Sequence, residues 1–238
     1  MISPSASQRA GEFLRAVLCL QPQVAVFDCD GTLWRADSGE QFLYWEMERG
    51  LLPAEVAEWA RPRYEDYKAG RVGEEQMCGE MVTLHRGLSQ EMLERAAAEF
   101  FQERIAPGIF PELLELTLAL AGQGCQLWAI SSTNDWVVRA GAGRFGIPAE
   151  RVIAACVEIN GGCATERLIR VPTDELKASA IRELLPRLPD AAFGNSLHDV
   201  AMLELAPHGF AVNPNSDLEC VARQRGWTVY HPGKLSAD

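Results

Sequence analysis

The sequence predicts an α/β protein in which strands alternate with helices, with one long all-helical stretch between the first two strands. Three observations carry this. Val24-Ala25-Val26-Phe27 is an apolar run, short enough for a buried strand, that stops at two acids separated by one residue, Asp28 and Asp30. Similar short runs at 125–130, 151–156 and 190–193 each lead through a polar or glycine-containing segment towards a helical pattern. Residues 34–104, by contrast, contain nothing that alternates as a strand does. Open α/β sheets place their chemistry beyond the carboxyl ends of their strands, so the polar residues at those ends are the candidate site.

Taken in order, residues 12–20 read as an amphipathic helix, because Glu12 and Arg15 interrupt what would otherwise be a signal-peptide core. After the first strand, helices are expected at 38–49, capped by Ser38 and stopped before Gly50, and at 53–69, begun by Pro53 and interrupted by Pro62. Two more are expected at 73–86 and 89–104, the last starting at Ser89. A crossover between parallel strands needs only ~10–12 residues; the surplus reads as a separate cap. Pro107-Gly108 marks re-entry, a helix covers 111–121, and the strand at 125–130 ends in Ser131-Ser132-Thr133-Asn134, with a helix over 134–145. Gly161-Gly162 joins a hairpin, residues 172–177 open a helix that carries Lys177 in its first turn, and 190–193 is a short strand followed by an acidic loop that contains His198. Residues 209–212, 215–225 and 227–230 complete the sheet.

Composition narrows the function. The chain has 238 residues, 47% of them hydrophobic, and a net charge of −11, with an isoelectric point near 4.9. That balance argues against nucleic acid, which needs clustered Lys and Arg. No stretch approaches the roughly 20 apolar residues that span a bilayer, so no membrane role is expected. The seven cysteines are scattered without metal-ligand spacing, which fits a reducing, cytoplasmic compartment.

Two carboxylates at one strand end repel unless a cation or proton lies between them, and Mg²⁺ is the natural candidate beside a phosphate. The residues go further. Asp28-Cys29-Asp30-Gly31-Thr32 resembles the first signature, Asp-x-Asp-x-Thr, of the phosphatases of the haloacid dehalogenase (HAD) superfamily. Ser131, after the second core strand, resembles the second signature and Lys177 the third. Gly194-Asn195-Ser196-Leu197-His198-Asp199 resembles the fourth, typically Gly-Asp-x-x-x-Asp, with Asn195 in place of the first acid. The helical stretch is similar to the cap of the phosphoserine-phosphatase-like branch.

The resemblance implies a doubly wound, mainly parallel, Rossmannoid (HAD-like) sheet: a core at 1–34 and 105–238, and an inserted all-helical cap at 35–104. It implies a two-step phosphatase. Asp28 is the nucleophile that forms an aspartyl-phosphate, and Asp30 is the acid and then the base. Ser131, Ser132, Lys177, Thr32 and Gly31 hold the phosphate, with Thr32 also ordering the nucleophile loop. Asp28, Asp30, Asn195 and Asp199 hold Mg²⁺, the asparagine contributing a carbonyl oxygen but no charge. Family members that act on phosphoserine tend to have Gly after the Ser of the second signature; Ser132 here counts against that substrate. The cap is rich in aromatics, and Trp34, Phe42 and Trp45, with acids such as Glu40, Glu46 or Asp66, are expected to cradle an amine-bearing head group such as phosphocholine, phosphoethanolamine or phosphoserine. His198 is an incidental loop residue or a general acid. The expected partner is a small phosphomonoester, and the expected state a monomer or homodimer. A phosphotransferase or mutase, a 2-haloacid dehalogenase and a non-catalytic phospho-ligand sensor remain alternatives.

Overall fold

The computed structural model describes residues 6–233; the first five residues and the last five lie outside the description. The chain runs α1 (Ala6–Leu18), β1 (Val24–Phe27), α2 (Ser38–Arg49), α3 (Ala54–Lys68), α4 (Glu74–Thr83), α5 (Gln90–Phe100), α6 (Pro111–Gly122), β2 (Gln126–Asn134), α7 (Asp135–Ala142), β3 (Val152–Asn160), β4 (Cys163–Arg170), α8 (Asp174–Leu184), β5 (Ala191–Gly194), α9 (Val200–Leu203), β6 (His208–Val212), α10 (Ser216–Arg225) and β7 (Thr228–Tyr230).

The strands form one seven-stranded sheet in the order β4-β3-β2-β1-β5-β6-β7. Every pairing is parallel except β3 with β4, the hairpin turned by Gly161-Gly162. Strand β1 lies at the centre, between β2 and β5, and its alternation divides the core. Ala25 and Phe27 face α1, α6 and α7, whose Phe13, Val17, Leu116, Leu120 and Val137 belong to one cluster. Val24 and Val26 face α8, α9 and α10 through Ile181, Leu203 and Leu218. Helices on both faces make the sheet doubly wound. Phe27, Phe193 and Phe210 stack across β1, β5 and β6 at centroid spacings of 4.3 and 4.6 Å, which ties these strands in register.

The connection from β1 to β2 is helical throughout. Leu43, Leu52, Ala60, Tyr64, Val72 and Met77 give α2–α4 a small core of their own. Helix α5 is different: Leu93, Ala96, Ala97 and Phe100 join the main core, because α5 packs on α7. Gly141 permits this approach, since a Cβ there would stand 2.3 Å from the Phe101 ring.

Several boundaries differ from the sequence expectation. Helix α2 is capped by Asp37, whose side chain accepts the Glu40 N–H, rather than by Ser38. Helix α3 runs through Pro62 without a break; the proline sits on an exposed face, where the carbonyl that loses its donor can turn to water. The helix expected at 89–104 is α-helical only to Phe100 and then widens to a π turn over Phe101–Ile105. Strand β2 continues four residues past Ile130, so Ser131–Asn134 are strand rather than helix start, and Asn134 caps α7 through the Val137 N–H.

Candidate active site

The ends of β1, β2 and β5 converge on a cavity of about 320 Å³ walled on the other side by α2–α4. Asp28 follows β1 directly, its N–H donating to the Phe193 carbonyl of β5 at 2.8 Å. The chain then turns at Gly31 with φ +76°, and a Cβ there would stand 2.0 Å from the Asn195 amide, so glycine is required both by conformation and by space.

Lys177 is the centre of the charge arrangement. It is 2% exposed, and its Nζ donates to Asp28 Oδ1 at 2.7 Å and to Asp199 Oδ1 at 2.5 Å. Asp28 is 149 residues distant in sequence, and folding alone brings the pair together. Burial disfavours the charge on Lys177, but Asp199 and Asp28 outweigh it and raise the ammonium above its ordinary value. Asp28 is pushed up to about 7, first by burial and then by the charge of Asp199, with Lys177 opposing both.

Asp30 is fixed by three donors. Trp34 Nε1 and Ser38 Oγ donate to Oδ1 at 2.5 and 2.6 Å, and Thr133 Oγ1 donates to Oδ2 at 2.7 Å. Thr133 reaches it because the β2–β3 register shifts between Ser131 and Asn134, and this bulge turns Ser131, Ser132 and Thr133 onto the cavity wall. Neither Thr133 nor Ser38 was expected at the site; the bulge that aims the threonine has no local sequence mark.

Asp28, Asp30, Gly31, Ser131, Ser132, Lys177 and Asn195 all line the cavity. Five expected site residues do not. Thr32 is fully buried and donates to Asp28 Oδ2 at 3.0 Å, so it orients the Asp28 carboxylate and does not line the cavity. Asp199 is 1% exposed; one oxygen holds Lys177, and the other accepts the N–H groups of Asn195 and Ser196 at 2.8 and 3.0 Å, while Asn195, Ser196 and His198 of the same loop line the cavity. Trp34, Phe42 and Trp45 are core residues: Trp34 packs on Phe101 and Phe145 beneath the floor, and Phe42 and Trp45 pack with Phe100. Their bulk drew them out of water and away from any head group. Of the acids expected beside them, Glu40 does line the cavity, Glu46 is buried against His85 at 2.9 Å, and Asp66 pairs with Arg71 on the surface.

The aromatics that do reach the cavity are Tyr64 and Tyr67, beside Asp37, Glu40 and Glu74. Asp37 stands exposed at the cavity mouth, where the surrounding protein, with Asp30 nearby, pushes its carboxyl up to about 7. His198 is at the rim, its Nδ1 2.8 Å from Asp174 Oδ1. Cys29, between Asp28 and Asp30 in sequence, is fully buried, and burial pushes its thiol well up; it packs and does not attack.

Among the described residues no cluster of three or more His, Cys, Asp or Glu side chains is arranged to hold a metal ion. The oxygen donors at hand, the carboxylate of Asp28 and the amide of Asn195, suit instead a hard cation that keeps several waters and shares phosphate oxygens. Asp28 and Asp199 share the single ammonium of Lys177, so the site holds more negative charge than that lysine offsets, which favours such a cation.

The raised carboxyls have a consequence for stability. Metal-free protein is expected to lose stability as pH rises from about 4 to about 7 through Asp28 and Asp37. The unfolded chain releases these protons near 3.8 and the folded chain keeps them to about 7, so the folded state binds more protons across that window. His85, raised by Glu46 against the opposing effect of burial, acts in the same direction. Glu65, Glu80 and Glu103, held low mainly by Lys68, Arg63 and Trp45, act in the opposite direction but below about 4.5, at the lower edge of the window. Thermal melts in EDTA at pH 5 and pH 7.5 check this; a higher melting temperature at pH 7.5 would contradict it.

A parallel sheet with a carboxylate, its lysine and a serine-bearing bulge at adjacent strand ends defines a hydrolase site of the HAD type. The model of the haloacid dehalogenase-like hydrolase family matches residues 25–204, and the chain belongs to that family. It is 28% identical over 219 residues to the histidinol-phosphatase of Neisseria meningitidis serogroup C (strain 8013), covering 87% of this chain and 97% of that one. It is 30% identical over 149 residues to phosphoserine phosphatase SerB1 of Mycobacterium tuberculosis (strain ATCC 25618 / H37Rv), 60% of this chain but only 48% of that protein. Among solved structures, a Bordetella pertussis Tohama I protein of unknown function superposes with a TM-score of 0.75 at 26% identity, covering 87% of this chain and 97% of the other. A phosphoserine phosphatase with an analogue of its phospho-aspartyl intermediate shares the fold, with a TM-score of 0.59 at 18% identity, covering 88% of this chain and 92% of that one. The protein is therefore an enzyme of a hydrolase family whose relatives include phosphatases. Among the described residues no helix is long and apolar enough to cross a membrane.

Proposed function

We propose that this enzyme is a Mg²⁺-dependent phosphatase that hydrolyses a small, amine-bearing phosphomonoester through an aspartyl-phosphate on Asp28, with residues 35–104 as the cap that selects the leaving group. One observation carries the reading: Lys177 on the cavity wall joins Asp28 to the buried Asp199 behind it, beside an Asp30 held by three donors.

In the first step a carboxylate oxygen of Asp28 attacks phosphorus, the ester P–O bond breaks, and Asp30 gives a proton to the departing alkoxide. In the second, Asp30 takes a proton from water as its oxygen attacks phosphorus, and the P–O bond to Asp28 breaks. Thr32 and Lys177 hold the nucleophile in place. Lys177, Ser131, Ser132 and the backbone at Gly31 are available to the phosphoryl oxygens, where charge develops. A Mg²⁺ ion held by Asp28, Asn195 and the backbone carbonyl of Asp30 would offset the repulsion between carboxylate and phosphate.

The amine preference rests on charge. Asp37, Glu40 and Glu74 line the cap side, while the cations on the wall are Arg35 and the committed Lys177. Histidinol phosphate, by the name of the neisserial relative, and phosphoserine, by that of the mycobacterial one, both carry an ammonium group. All seven cysteines are free, which supports action in a reducing cytoplasm.

The deciding experiment follows phosphate release from p-nitrophenyl phosphate, histidinol phosphate, phosphoethanolamine, phosphocholine and phosphoserine, with and without EDTA. Metal-dependent release, fastest from an amine-bearing ester, is expected. No release from any member would sink the proposal.

A further inference from the structure

The wall of the same cavity carries a carboxylate whose surroundings distinguish it, and the role assigned to it rests on the phosphatase reading. Glu74 opens α4, its side chain 12% exposed and turned into the cavity. Its Oε1 accepts from Ser132 Oγ at 3.1 Å and Cys78 Sγ at 3.7 Å, and its Oε2 accepts from the Tyr67 hydroxyl. These donors are neutral. The nearest group able to carry positive charge is His198 Nε2 at 3.8 Å, beyond hydrogen-bonding reach, and the other ring nitrogen is engaged by Asp174.

Three other enclosed carboxylates of this chain have a cationic or ionisable partner, whereas Asp30, like Glu74, is held by neutral donors. Asp28 and Asp199 share Lys177, and Glu46 meets the His85 ring at 2.9 Å. A carboxylate withdrawn from water needs a partner charge or strong donors close by. At Glu74 the open side is the cavity itself, which a leaving group occupies once phosphate sits between Ser131 and Lys177. Ser132, the residue after Ser131, bonds Glu74 directly, so the phosphate end and this carboxylate are neighbours.

We infer that Glu74 is a specificity-determining residue: it accepts a hydrogen bond from a cationic or N–H-bearing group at the far end of the leaving group, and it rejects leaving groups that carry a carboxylate. The enzyme thus acts on phosphate esters of amino alcohols in preference to those of hydroxy amino acids. A carboxylate placed on this wall would face Glu74 and Asp37 together. Lys177 is already shared by two acids, and the Arg35 guanidinium rests over the Phe110 ring at 5.0 Å. Of the two esters suggested by the relatives' names, the wall therefore fits histidinol phosphate, which has a distal imidazole and no carboxylate, and disfavours phosphoserine.

The test is calorimetric binding, with Mg²⁺ present, of histidinol phosphate, phosphoethanolamine and phosphoserine to Asp28→Asn protein, which cannot consume them by the proposed route. Histidinol phosphate is expected to bind about 10-fold or more tightly than phosphoserine. Adding Glu74→Gln, which keeps the shape and removes the charge, is expected to weaken histidinol phosphate about 10-fold more than phosphoethanolamine and to leave phosphoserine no weaker, the scale of one hydrogen bond to a charged group. In otherwise wild-type protein the same substitution should raise KM for histidinol phosphate with kcat retained. Phosphoserine binding as tightly as histidinol phosphate would overturn the inference, as would equal weakening of all three ligands by Glu74→Gln, the mark of a merely structural role. Failure of the phosphatase reading would show separately, as no phosphate released by the wild-type enzyme from any of the three.

Discussion

Asp28→Asn is expected to lower kcat by about 10⁴-fold or more while the protein folds as before. The scale is that of removing a catalytic nucleophile, after which only binding and electrostatic contributions remain. The geometry argues that the loss is chemical rather than structural. The asparagine oxygen can still accept from Lys177 or Thr32, and Lys177 keeps its ion pair with Asp199 at 2.5 Å. Stability should hold or rise slightly at neutral pH in the absence of metal, because a carboxyl pushed up to about 7 is one whose ionisation the fold opposes, and the amide has no charge to bury. The checks are kcat for the best ester of the panel and a melting curve in EDTA. Retention of more than about 1% of kcat would remove Asp28 from the role of nucleophile. The same result would make an aspartyl-phosphate untenable and leave Asp30 as the remaining carboxylate able to activate water.

The contrast between Asp28 and the cap shows what the linear chain carries and what it does not. The strand ends were legible because each is a short apolar run that stops at polar residues, a local pattern needing no partner. Asp28 follows from it, since the carboxyl ends of neighbouring parallel strands must point to one edge of the sheet; Ser131, Lys177 and Asn195 were singled out by their resemblance to the HAD signatures, Lys177 standing in the first turn of α8 rather than at a strand end. Asp199 was placed in the right loop and expected at the metal, yet it does not line the cavity. Only the fold shows that both its oxygens are already taken, by Lys177 and by the N–H groups of Asn195 and Ser196. Trp34, Phe42 and Trp45 went astray for a related reason: an aromatic on a helix covers core or cavity according to which face its neighbours bury, and α5 with its π turn claims these rings. Thr133 depends on a bulge in β2, and Glu74 depends on where α4 docks against the end of β2. Those are matters of tertiary packing that local spacing does not encode.

Lys177→Met should be the most destabilising single change at the site. The methionine is close to lysine in volume and apolar, so packing is largely kept, but Asp28 and Asp199 are then left 8% and 1% exposed with no cation between them. Breaking a buried ion pair by removing one partner costs about 3–5 kcal/mol. For a chain of this size each kcal/mol lowers the melting temperature by about 2–4 °C, so a fall of about 10 °C is expected at pH 8 without metal. The dependence on pH identifies the cause. Lys177 itself stays charged across the accessible range, being raised by its two carboxylates. In the variant Asp28, without its ammonium, resists ionisation further, so the folded state holds still more protons than the unfolded one as pH rises from 5 to 8, and the gap to wild type should widen over that interval. Adding Asp28→Asn to Lys177→Met removes one of the two facing charges and should recover part of the lost stability at pH 8, since Asp199 retains its two backbone donors. A single variant melting within about 2 °C of wild type at pH 8 would mean that water reaches these carboxylates freely. In the proposed mechanism turnover should fall as well, by about 10²–10³-fold, because the ammonium that holds Asp28 would also face the charge developing on the transferred phosphoryl group. A loss of turnover with the melting temperature intact would assign Lys177 to catalysis alone, and a loss of both assigns it to each.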